Sequence, residues 1–188
     1  TEHSYQIVLG SAVIHHRFES IHPFYDGNGR TGRIINVLYL VHAGLLDIPV
    51  LYLSRYLVRH KNEYYRLLQA VRETGEWQPW VLYMLEAVAE TAQQSITVVS
   101  AIRAAMQDYK HRIRDKFSFY SQDLINHLFC HPYTKIEFVA DALSVSRQTA
   151  AKYLDELVTE NLLHKEKLGK SNYYINIVLY DILSKQAA

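Results

Sequence analysis

The sequence predicts a mainly α-helical protein in two parts, a helical core over residues 1–108 and a smaller unit over residues 109–188. Three observations predict it. Gly and Pro number only 7 and 4 in 188 residues, too few for a loop-rich or β-rich architecture. Apolar residues recur at helical spacing up to about Lys116. From about Phe119 the pattern becomes three short amphipathic segments and then two short strand-like runs around Gly169.

The first helix is expected over about Tyr5 to Ile21, with Ile7, Val8, Ala12, Val13, Phe18 and Ile21 as its apolar face. His22-Pro23 ends it, because a residue before proline is pushed out of the α region. The next helix runs from about Arg30 to His42 and stops at Gly44, which suits a C-cap. Asp47-Ile48-Pro49 is a break. One helix is expected over Leu53–Thr74, carrying Tyr56, Leu57, His60, Tyr64, Leu67 and Leu68. Another opens near Pro79, a first-turn position that proline tolerates, and continues past Trp80, Leu82, Leu85 and Val88. Residues 89–116 contain no Pro or Gly and read as one long helix or two abutting ones, the natural link to the second unit.

In that unit Leu124, Ile125, Leu128 and Phe129 mark a short helix ended by His131-Pro132, and Ile136, Val139, Ala140 and Leu143 mark another. A third carries Thr149, Ala150, Tyr153, Leu154, Leu157 and Val158, with Ser146 as its N-cap. The runs Leu162–Lys167 and Tyr173–Ile177 flank a turn that contains Gly169. Three helices followed by a two-stranded ribbon are the pattern of a winged helix-turn-helix.

Composition narrows the function classes. The chain is 49% hydrophobic and 21% charged, ordinary for a protein with a packed core, and its net charge of +1 makes no global case for nucleic acid or a membrane surface. No apolar run reaches the length of a membrane span and no signal peptide is visible. Cys130 is the only cysteine, so no internal disulfide forms and a reducing, cytoplasmic setting is expected. In the stretch Leu128-Phe129-Cys130 it reads as a small core residue. The chain begins at Thr1 and not at Met, as a processed or trimmed fragment would.

The segment from His22 to Arg33 carries the chemistry. It holds one imidazole, one carboxylate, one amide, two guanidiniums and three glycines in a turn-like stretch just before the apolar run Ile34–Val41. Glycines let backbone N–H groups approach an anion, and a helix N-terminus favours negative charge through its free N–H groups and its dipole. Arg30 and Arg33 supply permanently charged forks for phosphate oxygens, and lie three apart on the first turn. Asp26 offers a hard oxygen to Mg²⁺, and His22 is a side chain that accepts a proton near neutral pH. Asn28 also suits a helix cap, and Phe24 suits an apolar anchor for the loop. His15 and His16 lack partners at metal-ligand spacing, and no zinc motif is present.

This segment resembles the signature of the Fic family, H-x-F-x-(D/E)-G-N-G-R-x-x-R, and meets every fixed position with His22, Phe24, Asp26, Gly27, Asn28, Gly29, Arg30 and Arg33. The resemblance continues through Leu51-Tyr52-Leu53-Ser54, Tyr64-Tyr65 and Gly75-Glu76-Trp77. The second part resembles the winged-helix tails of many bacterial Fic proteins. The resemblance implies a nucleotidyl transferase that moves AMP from ATP to a Ser, Thr or Tyr hydroxyl of a protein, this chain itself included. It implies His22 as the base, Asp26 as the Mg²⁺ ligand, Gly27, Asn28 and Gly29 as the anion cradle, and Arg30 and Arg33 as phosphate binders, Arg33 at the γ-phosphate. It puts the adenine near Tyr65 and Arg72, although Tyr64-Tyr65 also suits core packing. The family's inhibitory pattern, (S/T)-x-x-x-E-(G/N), has no match: Glu160-Asn161 has the right ending, but Glu156 stands where Ser or Thr is needed. A target-docking flap has no counterpart in the residues before His22, which read as helix.

The second part admits two partners. Arg147, Gln148, Thr149 and Lys152 open the third helix of the tail, and Lys170 lies on the wing, where DNA contacts would fall. Asp155, Glu156 and Glu160 share that helix, so protein docking or homodimerisation is the other reading. For the whole chain, the alternatives to an adenylyltransferase are a DNA-binding regulator whose loop senses nucleotide, and a related enzyme that uses another nucleotide donor or removes AMP.

Overall fold

The computed structural model describes residues 2–187. The elements, in order, are α1 (Glu2–Ile21), α2 (Asn28–His42), α3 (Leu53–Arg59), α4 (Lys61–Thr74), α5 (Trp77–Lys116), α6 (Gln122–Cys130), β1 (Tyr133–Thr134), α7 (Ile136–Leu143), α8 (Arg147–Thr159), β2 (Leu163–Leu168), β3 (Ser171–Asn176) and α9 (Ile177–Ala187). Mainly α architecture is therefore observed. Contacts divide the chain into two compact units after Ile96, inside α5. The boundary expected at residue 108 falls in the same helix. Among the described residues no helix is long and apolar enough to cross a membrane.

In the first unit α1 and α2 pack closely because small residues let them approach. A Cβ on Gly10 would lie 2.5 Å from the Tyr39 hydroxyl, and one on Gly32 would lie 2.6 Å from Glu19 Oε1 and 3.1 Å from His15 Cε1. Beneath them lies a core that includes Ile7, Val8, Ala12, Leu40, Leu53, Leu57, Leu67 and Trp80. The face of α1 differs from the apolar stripe expected. Ile21 is exposed, whereas Ser11, His15, His16 and Glu19 are buried. The histidines are accommodated by polar and aromatic partners: His15 Nε2 meets the Tyr64 hydroxyl at 2.9 Å, and His16 Nε2 meets the Leu68 carbonyl at 3.3 Å. Trp80 donates its indole N–H to the Ala12 carbonyl at 2.9 Å and stacks on His15.

The helix expected over Leu53–Thr74 is two helices. His60 joins them with φ −106 and ψ 35, outside helical geometry. Its Nδ1 lies 3.1 Å from the Tyr56 carbonyl, and the ring packs on Tyr56. Residues 89–116 do form one helix with the preceding segment, as α5.

The second unit packs α6, α7 and α8 against a three-stranded antiparallel sheet of order β1-β3-β2. Leu124, Ile125, Leu128, Val139, Leu154, Leu157 and Tyr174 form its core, together with Tyr109 and Ile113 of α5. Ser146 caps α8 by accepting the Thr149 N–H at 3.1 Å. Ser121 does the same for α6 through the Leu124 N–H. Strand β1 and helix α9 have no counterpart in the sequence reading, because a two-residue strand has no period and the strand-like run through Ile177 masks a helix start. Asn176 makes that switch: its Oδ1 accepts the Leu179 N–H at 3.1 Å and its Nδ2 donates to the Leu128 carbonyl. Cys130 is exposed, not a core residue. Leu124, Ile125 and Leu128 occupy the inward face of α6, and two residues beyond Leu128 the helix has turned away.

Candidate functional site

The turn between α1 and α2 is built by backbone demands. His22 keeps a helical hydrogen bond to the Phe18 carbonyl at 3.0 Å but adopts φ 50, so Pro23 redirects the chain at once. Gly27 is the N-cap of α2 with φ 84, a left-handed conformation that suits only glycine well. No side chain caps this end. The first helical bond is Thr31 N–H to the Gly27 carbonyl at 2.9 Å, which leaves the N–H groups of residues 28–30 at the open end of the helix.

Asn28 does not cap the helix. It is 3% exposed, and its amide clamps the loop by accepting the Phe24 N–H at 3.0 Å and donating to the Phe24 carbonyl at 2.6 Å. Phe24 is thus anchored by its backbone. Its ring is half exposed and leans on Phe18 at a centroid distance of 6.2 Å, which corrects its expected role as an apolar anchor.

The polar groups of the motif surround this end of α2. His22 and Asp26 are exposed on the loop. Arg30 Nη2 lies 3.1 Å from Asp26 Oδ2, both side chains facing solvent. Arg33 donates from Nε to Ser54 Oγ at 2.7 Å, and its Nη1 lies 3.1 Å from where a Gly29 Cβ would stand. Gly32 is therefore small for a reason: a Cβ there would crowd Glu19 and His15, whereas one at Gly29 would press only on the end of the Arg33 side chain. A mostly apolar pocket of about 650 Å³ opens beside the two arginines, bordered by Ile34, Leu38, Leu51, Tyr52, Ser54 and Val58.

Tyr65 lies exposed on α4, edge-on to Tyr64, with the Lys61 ammonium 5.9 Å from its ring centre. Arg72 is bound to the end of α1: Nη2 donates to the Glu19 carbonyl at 3.0 Å and Nε to Ser20 Oγ at 3.2 Å. Burial pushes the His15 imidazole down to about 4, so it is neutral at pH 7. Burial also raises the Glu19 carboxyl above its ordinary range, while His22, Arg33 and Arg72 pull it back. Ser54 and Glu19 are site residues that sequence reasoning missed. Ser54 lay within a quoted stretch of the resemblance, but nothing in its spacing tied it to Arg33.

One carboxylate, Asp26, beside an uncapped helix N-terminus is a donor of the kind Mg²⁺ takes, an ion that binds one or two protein carboxylates and completes its shell with water and phosphates. Among the described residues no group of three His, Cys, Asp or Glu side chains would hold a metal without such a ligand.

In the second unit the candidate DNA-contacting residues Arg147, Gln148, Thr149 and Lys152 share the start of α8, and Lys170 lies at the β2–β3 turn. The cations lie near carboxylates: Arg147 is 3.7 Å from Glu137, Lys152 is 3.8 Å from Glu156, and Lys165 is 2.8 Å from Asp155.

Comparison with known proteins finds two family matches and several relatives. Residues 2–40 match the Fic/DOC family, and residues 105–179 match the family described as protein adenylyltransferase SoFic-like, C-terminal domain. The chain is 43% identical over 96 residues to a probable protein adenylyltransferase of Aquifex aeolicus (strain VF5), covering 51% of this chain and 27% of that protein. It is 33% identical over 81 residues to a protein adenylyltransferase Fic of Aedes aegypti, covering 43% of this chain and 15% of that protein. With the Drosophila yakuba protein of the same name it shares 32% over 93 residues, 48% of this chain and 17% of that protein. The matched part thus spans well under a third of each of these relatives.

Proposed function

For a chain whose residues 2–40 match the Fic/DOC family and whose residues 105–179 match the SoFic-like C-terminal domain, we propose a protein adenylyltransferase that uses ATP. The observation that carries this reading is the open, uncapped N-terminus of α2, with Arg30, Arg33 and Asp26 around it and His22 at the end of α1.

A protein hydroxyl is a weak nucleophile, so a base must take its proton as it attacks phosphorus. His22 is exposed at the mouth of the turn and takes that role. The new bond joins the hydroxyl oxygen to the α-phosphorus, and the bond to the pyrophosphate oxygen breaks. Negative charge then grows on the phosphate oxygens, where the N–H groups of residues 28–30 and the guanidiniums of Arg30 and Arg33 offer donors. Ser54 holds Arg33 by Nε, which leaves the Nη groups for the ligand. Asp26 would hold Mg²⁺ together with the phosphates, and the ion would neutralise part of their charge. The test uses ATP labelled at either end. Label at the α-phosphorus should appear on protein and label at the γ-phosphorus should not; the reverse pattern would make the protein a kinase.

We read the second unit as a winged helix, a reading supported by the helix order and the β1-β3-β2 sheet. The pairing of Arg147, Lys152 and Lys165 with carboxylates favours docking to protein, or to a second copy of the chain, over DNA. A DNA shift that weakens steeply with salt, and that Arg147→Ala or Lys170→Ala reduces, would reverse this preference.

A further inference from the structure

Behind the phosphate turn lies a carboxyl that the proposed chemistry does not use. Glu19 is 7% exposed, and its Oε1 is fully buried with no hydrogen-bond partner among the described residues. It faces the backbone of the turn closely: a Cβ on Gly32 would stand 2.6 Å from Oε1 and one on Gly29 3.9 Å, with Arg33 Nη1 3.1 Å from the same Gly29 position. The oxygen and the guanidinium therefore flank Gly29 without closing an ion pair. The titratable and charged groups around Glu19 are His15 on α1, His22 just after it, Arg33 on α2, and Tyr64 and Arg72 on α4. Burial works against its charge, and His22, Arg33 and Arg72 sustain it.

A polyphosphate on the N–H groups of residues 28–30 upsets that balance. Its oxygens engage Arg33, and they bring several negative charges into the same poorly screened region. Glu19 Oε1 has no hydrogen bond to hold it in the ionised form. We propose that polyphosphate binding at this turn is coupled to uptake of a proton by Glu19, which turns a buried carboxylate into a neutral acid directly behind the anion. The proton comes from bulk solvent, and an O–H bond on the carboxyl is the only covalent change. Glu19 is then the residue that sets the pH range over which the turn accepts highly charged ligands. This inference rests on the nucleotide reading of the turn.

Calorimetric titration of ATP into the whole chain near neutral pH, in buffers of different ionisation enthalpy, counts the protons taken up per ligand bound. A His22→Ala background removes the exposed imidazole of the turn as a second proton acceptor. In that background we expect a clear fractional uptake. Adding Glu19→Gln should abolish it and tighten ATP binding about tenfold, since a like charge next to the anion is gone. Equal uptake with and without Glu19, or unchanged affinity, would overturn the proposal. Should the double variant not fold, the His22→Ala protein still decides, because heats independent of the buffer mean that no proton is taken up. If wild type binds no ATP, the nucleotide reading falls and takes this inference with it; if it binds ATP without uptake in the His22→Ala background, only this inference falls.

Discussion

Arg33 donates its Nε–H to Ser54 Oγ at 2.7 Å, which ties the second turn of α2 to the first turn of α3. The bond uses the Nε–H and leaves the four Nη–H donors to a ligand. Arginine loses much rotamer entropy when it is fixed, so a tether made before the ligand arrives lowers the entropy lost on binding. Ser54→Ala should weaken ATP binding by about 1 kcal/mol, roughly fivefold, and Arg33→Ala by about 2–3 kcal/mol. Equal affinities for Ser54→Ala and wild type in a titration would remove the tether from the account.

Asn28 holds the loop through both Phe24 backbone groups, at 3.0 and 2.6 Å. Asn28→Ala leaves those groups without their partner and should destabilise the protein by about 2–3 kcal/mol. Denaturant midpoints measure this. A loss below about 0.5 kcal/mol would mean that the loop holds its shape without the clamp.

Gly32→Ala should destabilise by about 1–3 kcal/mol and also weaken ATP binding, because the new methyl would stand 2.6 Å from Glu19 Oε1 and 3.1 Å from His15 Cε1. Gly44→Ala is the control: its φ of +75 makes alanine strained by about 1–2 kcal/mol, but nothing lies within 4 Å, so ATP affinity should not change. Matching ATP affinities for the two variants would contradict the close packing of α1 against the turn.

The neutral, buried His15 makes stability depend on pH. Its pKa falls from the usual 6.5 to about 4 on folding, so between these values the unfolded chain binds a proton that the native one does not. Stability is therefore highest above pH 6.5 and falls as the pH drops toward 4, by up to about 3 kcal/mol from this group. His16 is lowered too and acts in the same direction. Glu19, raised on folding, acts in the opposite sense and offsets part of the loss. Denaturation of wild type and His15→Gln across this range should show a shallower slope in the variant; parallel slopes would remove His15 as the source.

The turn between α1 and α2 was legible because its polar groups and three glycines stand in consecutive residues, from His22 through Arg33. The buried side of α1 was not. Ser11, His15 and Glu19 sit four residues apart on an inward face, and hydrophobic periodicity discounts polar residues there. His15 has its partner, Tyr64, far away in sequence, and Glu19 Oε1 is buried beside the glycines of α2 without a hydrogen bond. The break at His60 was hidden for a related reason: neither Gly nor Pro marks it, and the residues on both sides are good helix formers. In the second unit the Ser146 cap was readable from local chemistry, whereas β1 exists only because β3 lies beside it.

The central claim is that His22 acts on the hydroxyl while the α2 turn holds the nucleotide. The most direct measurement compares wild type and His22→Ala for ATP affinity and for transfer of α-phosphorus label to protein, in the same preparation. The account predicts that His22→Ala binds ATP within a few-fold of wild type and transfers at least about a hundredfold less, the scale of a lost general base. Full transfer by His22→Ala would contradict it.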